Sequence, residues 1–415
     1  MDNQKTQPLT PTLLSLILAM IALMQLSVDL YTPSFPSIQN SFATSLSQVQ
    51  LSLSLFMLGF SCSHPIFGPW SDKIGRKNPL LLGIALNALG SLICLMSPSI
   101  TILIFGRFLQ GFGIGSCNSV GRSLARDLLN ANRLAQVGAQ IGMVSVLFLA
   151  LSPTLGGYLQ NYFGWRSNFA FLLIIALFLL VAAWFFLPET NKNPDPNATQ
   201  LESMRRNYKL LLSSHLFVGY TLCACFAGAG IVAYLVIAPF LIQHMFGLSP
   251  IEFGWLAFIM AGGIFFSGVL NHFFVMVKGI KYMVFAGCLV MLSAGLIMLT
   301  CVFLNAVSLY NFMFCIALFC VGGGLTFMNA FAGAFDPFPH IAGTTGALYG
   351  FMQDLTAALV SSFIAWLSLT EPLTLAWALT ILALLSLASY WYLISLPHAV
   401  LNASQCLEKN NKGTE

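Results

Sequence analysis

Twelve apolar segments, each long enough to cross a lipid bilayer, occupy most of this sequence of 415 residues. A membrane-spanning helix needs about 20 consecutive, mostly apolar residues. The segments lie at residues 13–32, 49–70, 79–97, 100–121, 136–158, 167–187, 214–238, 253–275, 282–304, 308–331, 342–367 and 373–395. We therefore predict an all-α membrane protein with 12 transmembrane helices that crosses a lipid bilayer many times.

The composition excludes an ordinary soluble domain. Charged residues make up 7% of the chain and hydrophobic residues 58%, whereas soluble domains carry about 25% charged residues. The formal net charge of +4 is small, so we expect no nucleic-acid partner. The ten cysteines lack the spacing of a metal site, and we expect them to pack as small apolar residues without a bound metal.

The basic residues predict the orientation in the membrane, because cytoplasmic loops carry an excess of Lys and Arg. With the N-terminus inside, all 17 Lys and Arg residues except Arg107 and Arg166 fall on the inner side. We therefore expect both termini in the cytoplasm. The first apolar segment has full spanning length and no small-residue cleavage site, which favours a signal anchor over a removed signal peptide.

A polar segment divides the predicted spans into two sets of six. Residues 188–213 combine three prolines with charges of both signs, which indicates a cytoplasmic linker. We therefore expect an N-terminal six-helix bundle at 1–187, a C-terminal six-helix bundle at 214–396 and a cytoplasmic tail at 397–415. Transporters are commonly built from such internal repeats.

Three short motifs resemble signatures of the major facilitator superfamily. The stretch from Gly68 to Lys77, G-P-W-S-D-K-I-G-R-K, stands between spans 2 and 3 and resembles motif A of that superfamily. The stretch Arg107-Phe108-Leu109-Gln110-Gly111 resembles motif B. The stretch Pro153-Thr154-Leu155-Gly156-Gly157 resembles the end of motif C, which is associated with antiporters.

The chain is more closely similar to the bicyclomycin/chloramphenicol branch of drug:proton antiporters. The stretches that carry this similarity are Asp29–Pro36, Arg122–Asp127, Gly164–Arg166, Leu187–Thr190, Gly247–Pro250 and Ala342–Gly346. The resemblance implies the major facilitator fold, alternating access and proton-driven export. Motif C usually has glycines where this chain has Phe148 and Ser152, so proton-coupled uptake and dedicated export of a siderophore or metabolite stay open as alternatives.

Three ionisable residues lie inside the predicted spans: Asp29, Arg107 and Asp354. A charge at membrane depth costs at least about 2.5–3.5 kcal/mol on insertion scales. Two acids and one base leave an excess negative charge, which a proton or a cationic substrate can neutralise. We predict that these residues couple transport to protons, without a further cofactor, and that Asp29 carries the proton. The alternatives are a permanent Asp29–Arg107 pair and a helix-to-helix hydrogen bond from Asp354.

Motif A is predicted to act as a gate rather than to contact substrate. The resemblance assigns this role to Gly68, Asp72, Gly75, Arg76, Lys77 and Asp127. Asp72 would approach the N-terminus of span 11 when the cytoplasmic side is closed, and Arg76 could pair with Asp127. The alternative is a topology signal only.

Further candidates belong to the substrate cavity and to span 5. For the cavity we predict Tyr31, Phe56, His64, Gln110, Tyr234, Phe351 and Gln353. Pro153, Gly156 and Gly157 are expected to bend span 5 or to let it pack closely.

The sequence thus predicts a monomeric, proton-coupled secondary transporter in the bacterial inner membrane. It would export small, largely apolar or cationic molecules. A membrane enzyme is disfavoured, because the six histidines are isolated and neither H-E-x-x-H nor G-x-S-x-G occurs.

Overall fold

The structure, a computed structural model, describes residues 11–128, 131–191, 194, 196, 198–368 and 371–395. Every regular element in these residues is helical. The α-helices are α1 (Pro11–Asp29), α2 (Phe35–Phe42), α3 (Leu46–Ile74), α4 (Lys77–Leu95), α5 (Ile100–Leu128), α6 (Ala131–Phe163), α7 (Arg166–Phe186), α8 (Leu201–Leu212), α9 (His215–Met245), α10 (Pro250–Phe303), α11 (Leu309–Phe335), α12 (Ala342–Leu367) and α13 (Pro372–Ser389). The predicted tail at 397–415 lies outside the described residues.

The all-α membrane fold is confirmed, with the twelve predicted spans appearing as eleven helical segments of spanning length and apolar composition in the described residues. Helix α10 accounts for the difference, because it is 54 residues long and covers the predicted spans at 253–275 and 282–304. Gly279 within it has a φ of 80°, which glycine adopts without steric cost. The backbone therefore turns at Gly279, between the two predicted spans.

The first span was predicted to end too early, at residue 32. Helix α1 ends at Asp29, a short turn occupies Thr32–Ser34, and α2 extends the apolar segment to Phe42. Pro33 and Pro36 lie in the first positions of the turn and of α2, where a proline is tolerated because its missing N–H is not needed. The prolines therefore lie within the apolar segment without ending it.

Serine residues define where three long helices begin. Ser45 precedes α3 and accepts a hydrogen bond from the backbone N–H of Gln48. Ser214 precedes α9 and Ser308 precedes α11, and each accepts a hydrogen bond from the N–H three residues later. Such caps satisfy N–H groups that have no partner inside the helix.

The helices form two compact units. The first runs to Gln200 and includes Pro250–Gly254, and the second comprises Leu201–Ser249 and the chain from Trp255 onwards. In the first unit α3 and α5 approach closely, because a Cβ atom at Gly111 would lie 2.1 Å from the carbonyl oxygen of Phe56. Small residues at such crossings let membrane helices pack backbone to backbone.

The predicted linker contains a helix that the sequence analysis did not anticipate. Residues 188–191 are irregular, and α8 then runs from Leu201 to Leu212 before α9 begins at His215. The three prolines of the linker, at 188, 194 and 196, all precede α8. They interrupt helical structure only before Leu201, which leaves the polar second half of the linker free to form a helix.

Candidate functional site

Arg107 is the centre of the polar core of the first unit. It lies seven residues from the start of α5, and its side chain is completely buried. The guanidinium carbon is 4.1 Å from the centroid of the Tyr31 ring and 4.1 Å from that of the Phe56 ring. The two aromatic faces attract the cation that they enclose. Tyr31 and Phe56 thus contact Arg107, and their place in the substrate cavity stays a prediction.

Only one of the three guanidinium nitrogens of Arg107 donates hydrogen bonds in the described residues. Nη1 donates to the carbonyl oxygen of Ser27 at 2.9 Å and to the side-chain oxygen of Gln110. Nε and Nη2 have no hydrogen-bond partner, although both are buried. An arginine has five N–H donors, so this buried cation retains donor capacity.

Asp29, the predicted proton carrier, is the last residue of α1 and is fully buried. The side-chain amide of Gln25 donates to its Oδ2 at 2.5 Å, while Oδ1 has no partner. Among the described residues, Asp29 and Arg107 form no salt bridge with each other. Yet Arg107 bonds to Ser27, two residues before Asp29, and stacks on Tyr31, two residues after it. An incompletely bonded carboxylate therefore lies beside an incompletely bonded guanidinium.

The approach of α6 fixes the backbone that follows Asp29. A Cβ atom at Gly156 would lie 1.6 Å from the carbonyl oxygen of Leu30, so no other residue fits there without movement. Pro153 and Gly157 lie in the same helix, which continues as one element through Pro153. Gly156 thus provides the expected close packing, and the expected bend of span 5 stays a prediction.

Neutral polar residues connect Arg107 to α1 and α4. Gln110 Nε2 donates to Ser91 Oγ at 2.8 Å, and Asn87 Nδ2 donates to the carbonyl oxygen of Gln110 at 3.2 Å. Asn87 Nδ2 also lies 3.3 Å from Ser27 Oγ. Gln110 was predicted for the substrate cavity, and that role stays a prediction. Ser27, Asn87 and Ser91 were not predicted, because single neutral polar residues are common in membrane helices and give no distinct signal.

His64 lies on the same helix as Phe56, eight residues further along α3. It is buried, and its ring stands perpendicular to that of Phe60, with 5.4 Å between centroids. Phe60 in turn stacks on Phe56 at 6.2 Å. The spacing of four residues places all three rings in one row on α3, and two phenyl rings therefore connect His64 to Arg107.

The predicted motif A cluster forms around Arg76. Its Nε donates to Asp127 at 2.8 Å, and its Nη1 donates to Asp72 at 2.5 Å and to Ser71 Oγ at 2.8 Å. Ser71 Oγ donates to the carbonyl oxygen of Gly68 at 2.8 Å. Burial disfavours the charge of Arg76, but the two carboxylates outweigh it and raise the pKa of Arg76 above its usual value. The predicted ion pair between Arg76 and Asp127 is therefore present.

Glu189 completes this cluster from the segment that follows α7. Its carboxylate accepts the backbone N–H of Arg76 at 2.9 Å and that of Lys77 at 3.2 Å. It therefore occupies the N-terminus of α4, where negative charge is favourable. Partial burial opposes its charge, but the backbone N–H donors prevail and hold the pKa of Glu189 below its usual value. Glu189 lies in one of the stretches that resemble the antiporter branch, but no role was predicted for it.

Gly75 and Lys77 also support the cluster: Gly75 leaves room for Glu189, and Lys77 bonds to α7. Gly75 has a φ of 104°, and a Cβ atom there would lie 2.4 Å from Glu189 Oε2. The backbone angle therefore favours glycine, and any larger residue would also have to displace the Glu189 carboxylate. Lys77 Nζ donates to the carbonyl oxygen of Trp184 at 2.8 Å, near the C-terminal end of α7, where a cation is favourable.

Four of the residues predicted for the substrate cavity or for proton coupling belong to the second unit. Phe351, Gln353 and Asp354 lie on α12 and are half-buried. Tyr234 lies on α9, is buried, and packs against Phe312 with 6.3 Å between ring centroids. The joint action of these residues with Asp29 and Arg107 stays a prediction.

Comparison with known proteins identifies the family. Residues 17–361 match the model of the Major Facilitator Superfamily. The chain belongs to this superfamily. It is 28% identical over 377 residues to Multidrug resistance protein D of Escherichia coli K12, covering 90% of this chain and 93% of that protein. It is 26% identical over 368 residues to a bicyclomycin resistance protein homolog of Haemophilus influenzae, covering 89% and 92% respectively.

Solved structures give the same fold. The xylose transporter XylE from E. coli, in a partially occluded inward-open conformation, matches with a TM-score of 0.73 and 15% identity. The match covers 92% of this chain and 97% of XylE. The family match and the relatives make this chain a multi-pass membrane transporter; its apolar segments predicted the multi-pass membrane fold, and the motif resemblance predicted the transporter.

Proposed function

We propose that this chain is a proton-coupled secondary transporter that exports small, largely apolar or cationic molecules by alternating access. We place it in the bacterial inner membrane as a monomer, with both termini in the cytoplasm and with protons as the coupling ion. The names of the relatives, which refer to multidrug and bicyclomycin resistance, support export of drug-like molecules.

The observation that carries this proposal is the incomplete bonding of Asp29 and Arg107. One carboxylate oxygen and two guanidinium nitrogens are buried without hydrogen-bond partners. Leaving a buried donor or acceptor unpaired costs about 1–3 kcal/mol, and more for a charged group. A site selected for stability alone would pair these atoms. Their arrangement supports a site whose partners arrive and leave during transport.

Competition for the Asp29 carboxylate would couple proton movement to export. Protonation neutralises the carboxylate, and a cationic or hydrogen-bonding substrate can satisfy it instead. The site cannot hold both partners at low cost, so binding of one favours release of the other. Within this proposal Arg107 limits the cost of the ionised state, and Asp354 serves the second unit as a further proton-coupling residue.

The test uses everted membrane vesicles that hold a preformed pH gradient. Addition of bicyclomycin, as a neutral probe, or ethidium, as a cationic probe, should dissipate the gradient when the wild-type protein is present. Asp29→Asn should remove this response at equal protein level. Asp336→Asn, which changes an exposed acid at the end of α11, is the matched control and should respond as the wild type does.

Two results would contradict the proposal. A normal drug-induced proton flux in Asp29→Asn would exclude Asp29 as the proton carrier. Accumulation of the probe together with protons in right-side-out vesicles would favour uptake by symport, the alternative that the incomplete motif C leaves open.

A further inference from the structure

Helix α8 has two faces of different chemistry. Met204, Tyr208 and Leu211 follow one another at intervals of four and three residues and therefore share one face. Leu211 is completely buried, and Met204 and Tyr208 are half-buried. The helix packs against α9 and α12 of the same unit. The apolar face of α8 is thus already occupied by protein.

The other face of α8 carries three cations. Arg205, Arg206 and Lys209 are exposed, and in the part of the chain that the structure describes none of them forms a salt bridge. Glu202, in the first turn, is the only acidic residue of the helix. Glu202 lies three residues before Arg205 and four before Arg206, on the same face. Three cations and one acid leave this face with a net positive charge, which is complementary to an anionic partner.

An apolar residue continues the cationic face. Leu212 follows Lys209 by three residues and Arg205 by seven, so all three lie on the same side of the helix. The Leu212 side chain is 51% exposed. A soluble polyanion would gain nothing from an exposed leucine. The boundary of a bilayer accommodates both groups, because phosphates meet the cations and acyl chains meet the leucine.

We propose that the face formed by Arg205, Arg206, Lys209 and Leu212 binds the headgroups of anionic phospholipids in the cytoplasmic leaflet. The sequence predicts this side for residues 188–213, and anionic lipids attract juxtamembrane basic clusters there. The bound lipid would hold α8 at the membrane surface while its opposite face stays packed on α9 and α12. This function is separate from proton coupling at Asp29.

The test measures lipid binding to the full chain, purified in a neutral detergent, by native mass spectrometry. Phosphatidylglycerol is titrated against phosphatidylcholine. One basic residue near an anionic surface changes the affinity about fivefold. The triple variant Arg205→Gln, Arg206→Gln, Lys209→Gln should therefore lose on the order of 100-fold in affinity for phosphatidylglycerol and its preference over phosphatidylcholine. Leu212→Ser should weaken binding of both lipids.

Two controls make the result specific to α8. Lys278→Gln with Lys281→Gln removes two other exposed cations of the same unit and should leave the tightest phosphatidylglycerol site unchanged. Arg205→Lys with Arg206→Lys keeps the charge and should keep the affinity. If the triple variant loses helix content, the three single variants, each expected to lose about fivefold, provide the test.

Equal phosphatidylglycerol affinity of the wild type and the triple variant would overturn the proposal. Displacement of the lipid by millimolar inorganic phosphate would also overturn it, because it would show a general anion site rather than a membrane contact.

Discussion

The guanidinium carbon of Arg107 lies 4.1 Å from the centroid of the Tyr31 ring, and both side chains are completely buried. The hydroxyl group of that ring lies 3.1 Å from Ser52 Oγ on α3. Tyr31 therefore connects the cation of α5 to α3 and stands two residues after Asp29. In the described residues, two aromatic rings rather than a paired carboxylate enclose the Arg107 guanidinium, and in our proposal this leaves Asp29 available for proton exchange.

Two replacements of Tyr31 separate the contribution of its ring to the free energy of unfolding from that of its hydroxyl group. Tyr31→Leu should lower the free energy of unfolding by about 2 kcal/mol or more, because a desolvated cation–π contact is lost. Tyr31→Phe keeps the ring and should lose about 1 kcal/mol, the value of one hydrogen bond. The measurement is denaturant unfolding in detergent, and an equal loss in both variants would show that the ring does not stabilise Arg107.

Arg107→Lys should reduce proton-coupled drug transport at least about tenfold with normal membrane insertion. A lysine keeps the charge but cannot place a planar cation between the Tyr31 and Phe56 rings. Arg166→Lys is the control, since Arg166 also stacks on a ring, that of Trp165 at 4.1 Å, but is exposed. Comparable loss of drug-induced proton flux in the control would remove any special role of Arg107.

Gly156→Ala should impair transport and stability, because the added methyl group would lie 1.6 Å from the carbonyl oxygen of Leu30. Helix α6 must then move away from the residues beside Asp29, and overpacking of this kind costs about 1–3 kcal/mol. Gly142→Ala lies in the same helix with nothing within 4 Å of its Cβ position, and should be neutral. Thermal unfolding and drug-induced proton flux of the two variants, compared directly, check this expectation.

The long helices and the buried charges could be predicted from the sequence, whereas the short helix α8 could not. The long helices follow from runs of apolar residues, and Asp29 and Arg107 are evident because charges are rare in such runs. Helix α8 was missed because it is short and polar on one face, which a search for spanning segments cannot detect.

The partners of the buried charges could not be predicted. The Asp29 carboxylate bonds to Gln25 rather than to Arg107, a choice that depends on side-chain rotamers and on the packing of α1, α3 and α5 together. Glu189 lies 113 residues from Arg76, whose N–H it accepts, and no local pattern indicates a contact at that separation.

The two acids that bind Arg76 should contribute unequally to the free energy of unfolding. Asp127 has a side chain that is 20% exposed, whereas that of Asp72 is 39% exposed, and screening by water weakens the more exposed pair. Asp127→Asn should therefore cost about 1–3 kcal/mol of unfolding free energy and Asp72→Asn about 1 kcal/mol or less. A double-mutant cycle with Arg76→Gln, followed by denaturant unfolding, isolates each coupling; a larger coupling for Asp72 would contradict the structure.

Glu189→Gln should destabilise the protein only where Glu189 is ionised. The backbone N–H groups of Arg76 and Lys77 hold the pKa of Glu189 below its ordinary value of 4.5. A lowered pKa in the folded state stabilises the protein. This stabilisation is fully present above about pH 4.5 and is lost as the pH falls through the pKa of Glu189 in the folded protein. At pH 7 the variant should be less stable by about 0.5–1 kcal/mol, as for a lost and partly exposed helix cap. Melting temperatures measured from pH 7 to pH 3.5 should converge on acidification, and a constant difference between the two proteins would show that the carboxylate charge does not stabilise α4.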